Sequence, residues 1–289
     1  MKNVMYRSAT SSDLPGAAQV FIRARNEMLT RVGSNAPPDS PESAVAGFQH
    51  VLDTGIFEVA ELDGRIVGKA SAIVRDGLWF LSGFWVEPAF KNQGIGGPLL
   101  RRAWQRGQEL GAATFFVWAS SDTTAMATYM KFGMLPGSQI LTFRGEPERL
   151  RLPETPVGYE TQPLDPGDAS RIDSVVRGTR REVDHRYWAD LPGRIVVRGG
   201  KLCGYYYLSD GQLFGGWLDP ADGEAVLALG ARHGLEHANQ SMLRVPGMNH
   251  LAIRFALDHG YRLQQFSHLL TTGPFGKPDQ YVTSGPLLF

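Results

Sequence analysis

A glycine-rich loop between an apolar strand and a helix constrains the fold more than any other segment. The strand is predicted over Leu78–Val86, and the loop that follows contains Gly94, Gly96 and Gly97. Pro98 stands in the first turn of the helix, where its missing N–H costs nothing. Glycines let successive backbone N–H groups point into one concavity, and the helix N-terminus adds partial positive charge. The segment therefore predicts a cradle for a pyrophosphate group.

Paired strands are predicted on the N-terminal side of this cradle. Apolar alternation over residues 57–62 indicates a strand, and Asp63-Gly64 is a two-residue hairpin signal. Residues 65–74 form the returning strand, which leads through a second turn into the strand that ends at the cradle. Beyond the cradle helix we predict a strand over residues 113–119 and a short helix over Thr123–Lys131.

The second half of the chain repeats features of the first half. Trp217-Leu218-Asp219-Pro220 matches Trp85-Val86-Glu87-Pro88, and residues 195–204 repeat the hairpin pattern. The sharpest match has a constant offset of 127 residues (249 minus 122) and pairs Asp122, Ala125, Tyr129 and Gly133 with Asn249, Ala252, Ala256 and Gly260. The order of the matches indicates duplication of one domain. We predict domains at 1–145 and 158–289, joined by a proline- and charge-rich linker at 146–157.

Two motifs of the first half resemble those of the GNAT superfamily of acyl-CoA-dependent N-acyltransferases. Lys91-Asn92-Gln93-Gly94-Ile95-Gly96 stands where that superfamily has Gln or Arg, two residues and Gly-x-Gly or Gly-x-Ala. Asp122, Ala125, Tyr129 and Gly133 follow its Asn-x-x-Ala-x-x-x-Tyr-x-x-x-Gly spacing. The resemblance implies an α+β fold with two tandem GNAT-like domains. Each would be a twisted, mostly antiparallel mixed sheet flanked by helices, and CoA would lie where the first sheet splays after Val86.

The resemblance also implies which residues bind acetyl-CoA. Backbone groups of Phe84, Trp85 and Val86 would pair with the pantetheine arm as an extra strand. The pyrophosphate would be held by the loop residues Lys91, Asn92, Gln93, Gly94, Ile95, Gly96 and Gly97. Lys91 replaces Gln or Arg but keeps a charge for phosphate. Asp122 occupies the Asn position near the cofactor arm.

The catalytic residues implied by the resemblance are an acid and a base. Tyr129 stands where the superfamily places its general acid, and it would donate to the departing thiolate. The carboxylate that some relatives carry before the second motif is replaced by Val117. Glu87 is the nearest acid on the splayed strand and is our candidate base. A water chain or a carboxylate from elsewhere is equally open.

The second half lacks the features that would bind CoA. Residues 220–224 contain one glycine and two acids where pyrophosphate would sit, and Ala256 replaces the tyrosine. We expect a degenerate copy without a CoA site. His233 and His237 lie four residues apart with Glu236 between them, but no third ligand is apparent. We interpret them as surface or structural histidines and expect no metal.

The amino-acid composition limits the classes of binding partner that the chain is expected to have. Lys plus Arg and Asp plus Glu both number 29, and this zero net charge argues against nucleic acid and against an acidic membrane surface. The single cysteine excludes an intrachain disulfide, and the first residues lack an apolar signal core. We expect a cytoplasmic monomer or homodimer.

These patterns predict an N-acetyltransferase that moves an acetyl group from acetyl-CoA to a primary amine by direct attack in a ternary complex. The acceptor is not identified by the sequence, although the segment Asn26–Ser43 is expected to shape its specificity. The alternative is a CoA- or metabolite-binding regulatory protein without transfer activity. A purely structural or partner-binding module is the third class of function.

Overall fold

The computed structural model of the chain describes residues 4–31, 40–154, 156–238 and 240–289. Backbone contacts divide the chain into two units, Met1–Phe115 and Phe116–Phe289. Among the described helices, none combines the length and apolar character needed to cross a membrane.

The first unit is built on four antiparallel strands in the order β1-β2-β3-β4. The strands are β1 (Met5–Ser8), β2 (Ile56–Leu62), β3 (Arg65–Arg75) and β4 (Leu78–Val86). The helices are α1 (Leu14–Arg31), α2 (Pro41–Thr54) and α3 (Gly96–Glu109). Helices cover both faces of this sheet, because the neighbouring residues Gly68 and Lys69 point in opposite directions, toward Leu99 of α3 and Phe48 of α2.

Two local features set the path of the strands into the cradle. The predicted hairpin between β2 and β3 is confirmed, with positive φ at Asp63 (50°) and Gly64 (74°) as a type I′ turn requires. A bulge in β4 follows, because Ser71 pairs with Gly83 and Ala72 with Leu81, so Ser82 has no partner on β3. Bulges re-aim the strand beyond them.

The second unit contains most of β5 and the remaining elements. Its strands are β5 (Thr114–Ala119), β6 (Leu135–Gly145), β7 (Tyr159–Pro163), β8 (Gly193–Arg198), β9 (Lys201–Ser209), β10 (Gln212–Trp217), β11 (Ser241–Pro246), β12 (Arg262–Thr271) and β13 (Tyr281–Val282). Its helices are α4 (Thr123–Lys131), α5 (Pro166–Val176), α6 (Glu182–Tyr187), α7 (Gly223–Leu235) and α8 (His250–Asp258). The strand order is β5-β12-β6-β11-β10-β9-β8-β7, with β13 beside β10. The predicted α+β class with a mixed, mostly antiparallel sheet is confirmed.

The predicted duplication is visible in matching helices. α4 and α8 each contain 9 residues and are separated by the expected offset. Each begins with a capping side chain, Asp122 or Asn249, that accepts from the backbone N–H three residues on. Each is followed by a glycine with positive φ, Gly133 (85°) or Gly260 (92°). The repeated motif therefore encodes one N-cap, one short helix and one left-handed C-terminal turn.

The two copies exchange strands near their C-terminal ends. β12, from the second copy, pairs antiparallel with β5 of the first copy, and β6, from the first copy, pairs with β11 of the second. β6 and β12 also pair with each other from Leu135 to Arg144. For this reason the contact boundary falls at Phe115, before the linker predicted at 146–157.

This exchange predicts that residues 1–154 alone cannot form a stable domain. In that fragment β5 would lose its contact with β12, and β6 would lose both neighbours and expose hydrogen-bonding edges. We expect the fragment to be insoluble or to associate, whereas the full chain unfolds cooperatively. Size-exclusion chromatography and thermal circular dichroism test this. A monomeric fragment with a cooperative transition would show that the exchange is dispensable.

Candidate functional site

The candidate site begins at the C-terminal end of β4, which is one of the two outer strands among the first unit's own four. Phe84, Trp85 and Val86 are half-buried there, in contrast to the buried Trp79 and Phe80 earlier in the strand. The ring of Trp85 packs edge-on against Phe21 of α1, with centroids 5.3 Å apart. The end of β4 is thus fixed against α1 while its backbone continues into the loop.

The loop itself adopts the conformation that its composition predicts. A short 3-10 helix, Pro88–Phe90, follows β4, and φ is positive at Asn92 (61°) and Gly94 (82°). Ile95 is buried and anchors the end of the loop just before α3 begins at Gly96. The first amides of a helix have no partner within that helix. The loop therefore delivers the chain to an N-terminus suited to an anion.

Gly96 and Gly97 serve this geometry in different ways. A Cβ on Gly96 would lie 2.9 Å from Cζ of Phe84, so only glycine lets the helix start pack on the β4 ring. A Cβ on Gly97 would meet nothing within 4 Å and would point into open space. Gly96 permits close packing inside the protein, and Gly97 keeps the outer side of the helix start clear.

Two ion pairs tie the site to α1. The guanidinium of Arg23 donates to both oxygens of the Glu87 carboxylate, at 2.8–3.0 Å. Lys91 forms an ion pair with Glu27. Glu87, the candidate base, is therefore held by three hydrogen bonds. The Lys91 ammonium is partly neutralised before any phosphate arrives.

A buried lysine that the sequence did not single out lies beneath β4. Lys69 is 1% exposed, and a Cβ on Gly83 would come within 2.7 Å of its Nζ. Its ammonium lies 3.6 Å from the ring centroid of Phe48 and donates to Ser71 Oγ at 3.1 Å. Burial lowers the pKa of Lys69 to about 7. The alternation of β3 predicts that this side chain points inward. A lysine in a sequence is nevertheless expected at the surface unless the side chains that pack around it are known.

Asp122 and Tyr129 lie at opposite ends of α4. Asp122 caps the helix, accepting from the backbone N–H groups of Thr124 and Ala125 at 3.0 Å. An asparagine oxygen would do the same, so the Asp at this position keeps the cap. Tyr129 is 6% exposed, and burial, together with the Asp122 charge, raises the pKa of its phenol well above its ordinary value. The hydroxyl therefore keeps its proton at neutral pH.

The second copy lacks the loop. Pro88 and Pro220, which begin the two 3-10 helices, are 132 positions apart, but Gly96 and Gly223, which begin α3 and α7, are 127 apart. The five missing positions correspond to residues 91–95. Asp222 lies at the junction and is held by the Tyr159 hydroxyl at 2.7 Å. This end of the second copy has a carboxylate where the first has a glycine loop.

The structure thus gathers the predicted residues Phe84–Gly97 in the first unit, and places Asp122 and Tyr129 on α4 in the second. Part of the predicted acceptor segment, residues 32–39, lies outside the described residues. Glu27, near the start of that segment, contacts the cradle through Lys91.

Part of the first copy matches a known family. Residues 26–134 match the sequence model of the Acetyltransferase (GNAT) family. This matched segment includes both the glycine loop and the Tyr129 motif. No curated protein is similar enough in sequence to count as a match.

Solved structures match the whole chain. A candidate acetyltransferase from Pyrococcus horikoshii has 18% identity and a TM-score of 0.78, over 97% of this chain and 94% of its own. A GCN5-related N-acetyltransferase from Sphaerobacter thermophilus has 17% identity and a TM-score of 0.67, over 93% and 95%. A tandem GNAT protein from the clavulanic acid biosynthesis pathway has 15% identity and a TM-score of 0.62, over 94% and 99%. At these identities the likeness establishes the tandem fold, not an activity.

The buried Lys69 predicts a pH-dependent stability. Because its pKa is about 7 in the folded chain and 10.5 as the ordinary value, the unfolded chain binds more protons between these pH values. The free energy of unfolding should therefore rise from pH 7 to pH 10, and Lys69 alone should contribute roughly 3–5 kcal/mol to the rise. Lys69→Met should remove the rise and be more stable than wild type near pH 6. Urea unfolding at several pH values measures it.

The exposed Lys201 supplies the control, because Lys201→Met should leave the pH dependence as in wild type. A rise that persists in Lys69→Met would show that the lysine is not the group responsible.

Proposed function

We propose that the chain transfers an acetyl group from acetyl-CoA to a primary amine, since residues 26–134 match the sequence model of the Acetyltransferase (GNAT) family. The observation that carries this proposal is the end of β4, where a left-handed glycine loop leads into α3 and Gly97 faces open space. Such a helix start binds a pyrophosphate through backbone N–H groups. An amine acceptor is part of the proposal, and the acceptor itself is not specified.

In the proposed complex the first copy holds the cofactor. The amides of residues 92–97 donate to the pyrophosphate, and Lys91 adds a point charge that it shares with Glu27. The pantetheine arm lies along Phe84–Val86 and continues the sheet by backbone hydrogen bonds. A neutral chain suits this mode of binding, because CoA needs one local loop and no basic surface.

The reaction is a direct attack. An alkyl ammonium must lose a proton, at a cost of roughly 4.6 kcal/mol at pH 7 for a pKa near 10.4. The amine nitrogen then attacks the thioester carbonyl. As the tetrahedral intermediate collapses, the carbon–sulfur bond breaks and the nitrogen gives up a second proton, so that the products are the amide and the CoA thiol. We assign to Tyr129 the hydrogen bond or proton that the departing thiolate receives. Its raised pKa supports the role of hydrogen-bond donor, because the phenol stays protonated.

Two groups near β4 are candidates for accepting the ammonium proton. Glu87 is the acid nearest the loop, but its carboxylate is held by Arg23. Lys69 is neutral in part at pH 7, and Ser71 Oγ lies 3.4 Å from Ser82 Oγ on the bulge of β4. A proton could thus reach Lys69 through two hydroxyls. Lys69 offers a nitrogen lone pair only when it is neutral, whereas the Glu87 carboxylate has oxygen lone pairs that already accept from Arg23.

The second candidate function is CoA or metabolite binding without transfer. It is favoured by the pairing of Lys91 with Glu27 and of Glu87 with Arg23, since both groups then serve structure. Binding with turnover separates the enzyme from this regulatory alternative, and absence of CoA binding contradicts both.

Gly97→Ala should weaken acetyl-CoA binding at least about tenfold. The added methyl group enters the open space at the helix start, where the pyrophosphate would approach the backbone. Gly273→Ala is a matched control, because Gly273 also precedes a proline and its Cβ would also meet nothing within 4 Å. Isothermal titration calorimetry measures both affinities. Equal affinity of Gly97→Ala and wild type would place the cofactor elsewhere.

Tyr129→Phe should lower kcat by about 10²-fold while leaving acetyl-CoA affinity nearly unchanged. The phenyl ring keeps the packing of Tyr129 and removes only its hydroxyl. Turnover is measured by the release of CoA thiol from acetyl-CoA in the presence of a panel of primary amines. Tyr187→Phe is the control, because Tyr187 is exposed. Unchanged turnover would exclude Tyr129 as the donor.

The same assay separates the proton acceptors. If Lys69 accepts the proton, wild-type kcat/KM rises with pH through about 7, and Lys69→Met loses the rise while Glu87→Gln keeps it. Loss of turnover in Glu87→Gln, with the wild-type pH profile kept in Lys69→Met, assigns the role to Glu87.

A further inference from the structure

The end of α7 brings together three side chains that ligate metals. His233, Glu236 and His237 each offer one ligand atom, and these atoms all lie within 4.8 Å of one another. Helix α7 ends at Leu235 with Glu236 as its C-cap, so the helical path continues far enough to keep positions i, i+3 and i+4 on one face. The structure therefore supplies the third ligand that the spacing of the two histidines alone did not reveal.

These side chains are not used for another purpose in the described part of the chain. There, none of the three takes part in a side-chain hydrogen bond or ion pair, and Nδ1 of His233 is buried without a partner. The two imidazole rings pack edge to face with centroids 4.9 Å apart. A carboxylate and two imidazoles thus converge without bonding directly to one another.

The spacing fits an ion between them. Zinc binds imidazole nitrogen at about 2.0–2.1 Å and carboxylate oxygen at about 2.0–2.2 Å, so two tetrahedral ligands lie roughly 3.4 Å apart. Glu236 and His237 are exposed and can rotate to close the remaining gap. The C-terminal end of a helix also favours a cation, because its last carbonyl groups carry partial negative charge.

The surroundings of the cluster contain one opposing charge. Arg194 of β8 interacts electrostatically with His233 and would repel a cation, although the Glu236 carboxylate offsets it. Tyr206 of β9 packs against the His233 ring, with centroids 5.8 Å apart. This ring contact restricts the orientation of the His233 imidazole.

We propose that His233, Glu236 and His237 form a site for a divalent transition metal, with Zn²⁺ suited to its two nitrogens and one oxygen. Three protein ligands leave further coordination positions for water or a small ligand. The site lies in the second copy and is independent of the proposed acetyl transfer.

Zinc titration of the full, tag-free chain after chelator treatment tests the proposal. Calorimetry should give one saturable site per chain in wild type. His237→Ala and Glu236→Gln, both at exposed positions, should each weaken binding by about tenfold or more. Co²⁺ should give the visible absorption of a nitrogen- and oxygen-ligated ion in wild type and lose it in His237→Ala.

The exposed His250 provides the matched control, since His250→Ala removes a histidine outside the cluster. Wild-type affinity in that variant, with circular dichroism unchanged in all variants, supports the site. Absence of saturable Zn²⁺ uptake, or equal uptake by wild type and His237→Ala, overturns it.

Discussion

Pairing between β6 and β12 is the interaction on which the second unit depends. β6 belongs to the first copy and β12 to the second, yet the two strands pair with each other. β12 also pairs with β5 of the first copy, and β6 pairs with β11 of the second. Neither set of backbone hydrogen bonds can form until most of the chain has been synthesised. A loss of this pairing would leave the facing edge groups of β6 and β12 without partners, which is costly when they are buried. We therefore expect the two copies to fold together as one cooperative unit, although a linker separates them in the sequence.

The two copies differ at the glycine loop, which is the segment that the proposed function depends on. Helices α4 and α8 retain the same length, cap and terminal glycine, so the scaffold has been kept in both copies. The offset changes by five residues at the position of the glycine loop, and the second copy has Asp222 at the start of α7. Loss of a loop removes the concavity, and a carboxylate repels phosphate. The first copy has the glycine loop, and the second copy has the same helix without it.

Local signals in the sequence predicted the local structure well. The strand Leu78–Val86 and the helix Thr123–Lys131 have the predicted bounds, because proline, capping side chains and glycine punctuate them within a few residues. The strand exchange was not predicted, since pairing partners more than 100 residues apart leave no local signature. The pairing of Glu87 with Arg23 and the burial of Lys69 also required the fold, because each depends on a side chain from another element. The sequence places Glu236 between the two histidines, but only the structure shows that its carboxylate lies near both imidazoles, as the proposed metal site requires.

Hydrogen exchange of the backbone amides, measured with and without acetyl-CoA, tests most directly whether one copy alone binds the cofactor. Amides of residues 91–97 should exchange more slowly when acetyl-CoA is present, because they donate to the pyrophosphate. Amides of residues 219–224 should exchange at the same rate in both conditions. Protection of both segments, or of residues 219–224 alone, would contradict the account of a single site built on the glycine loop.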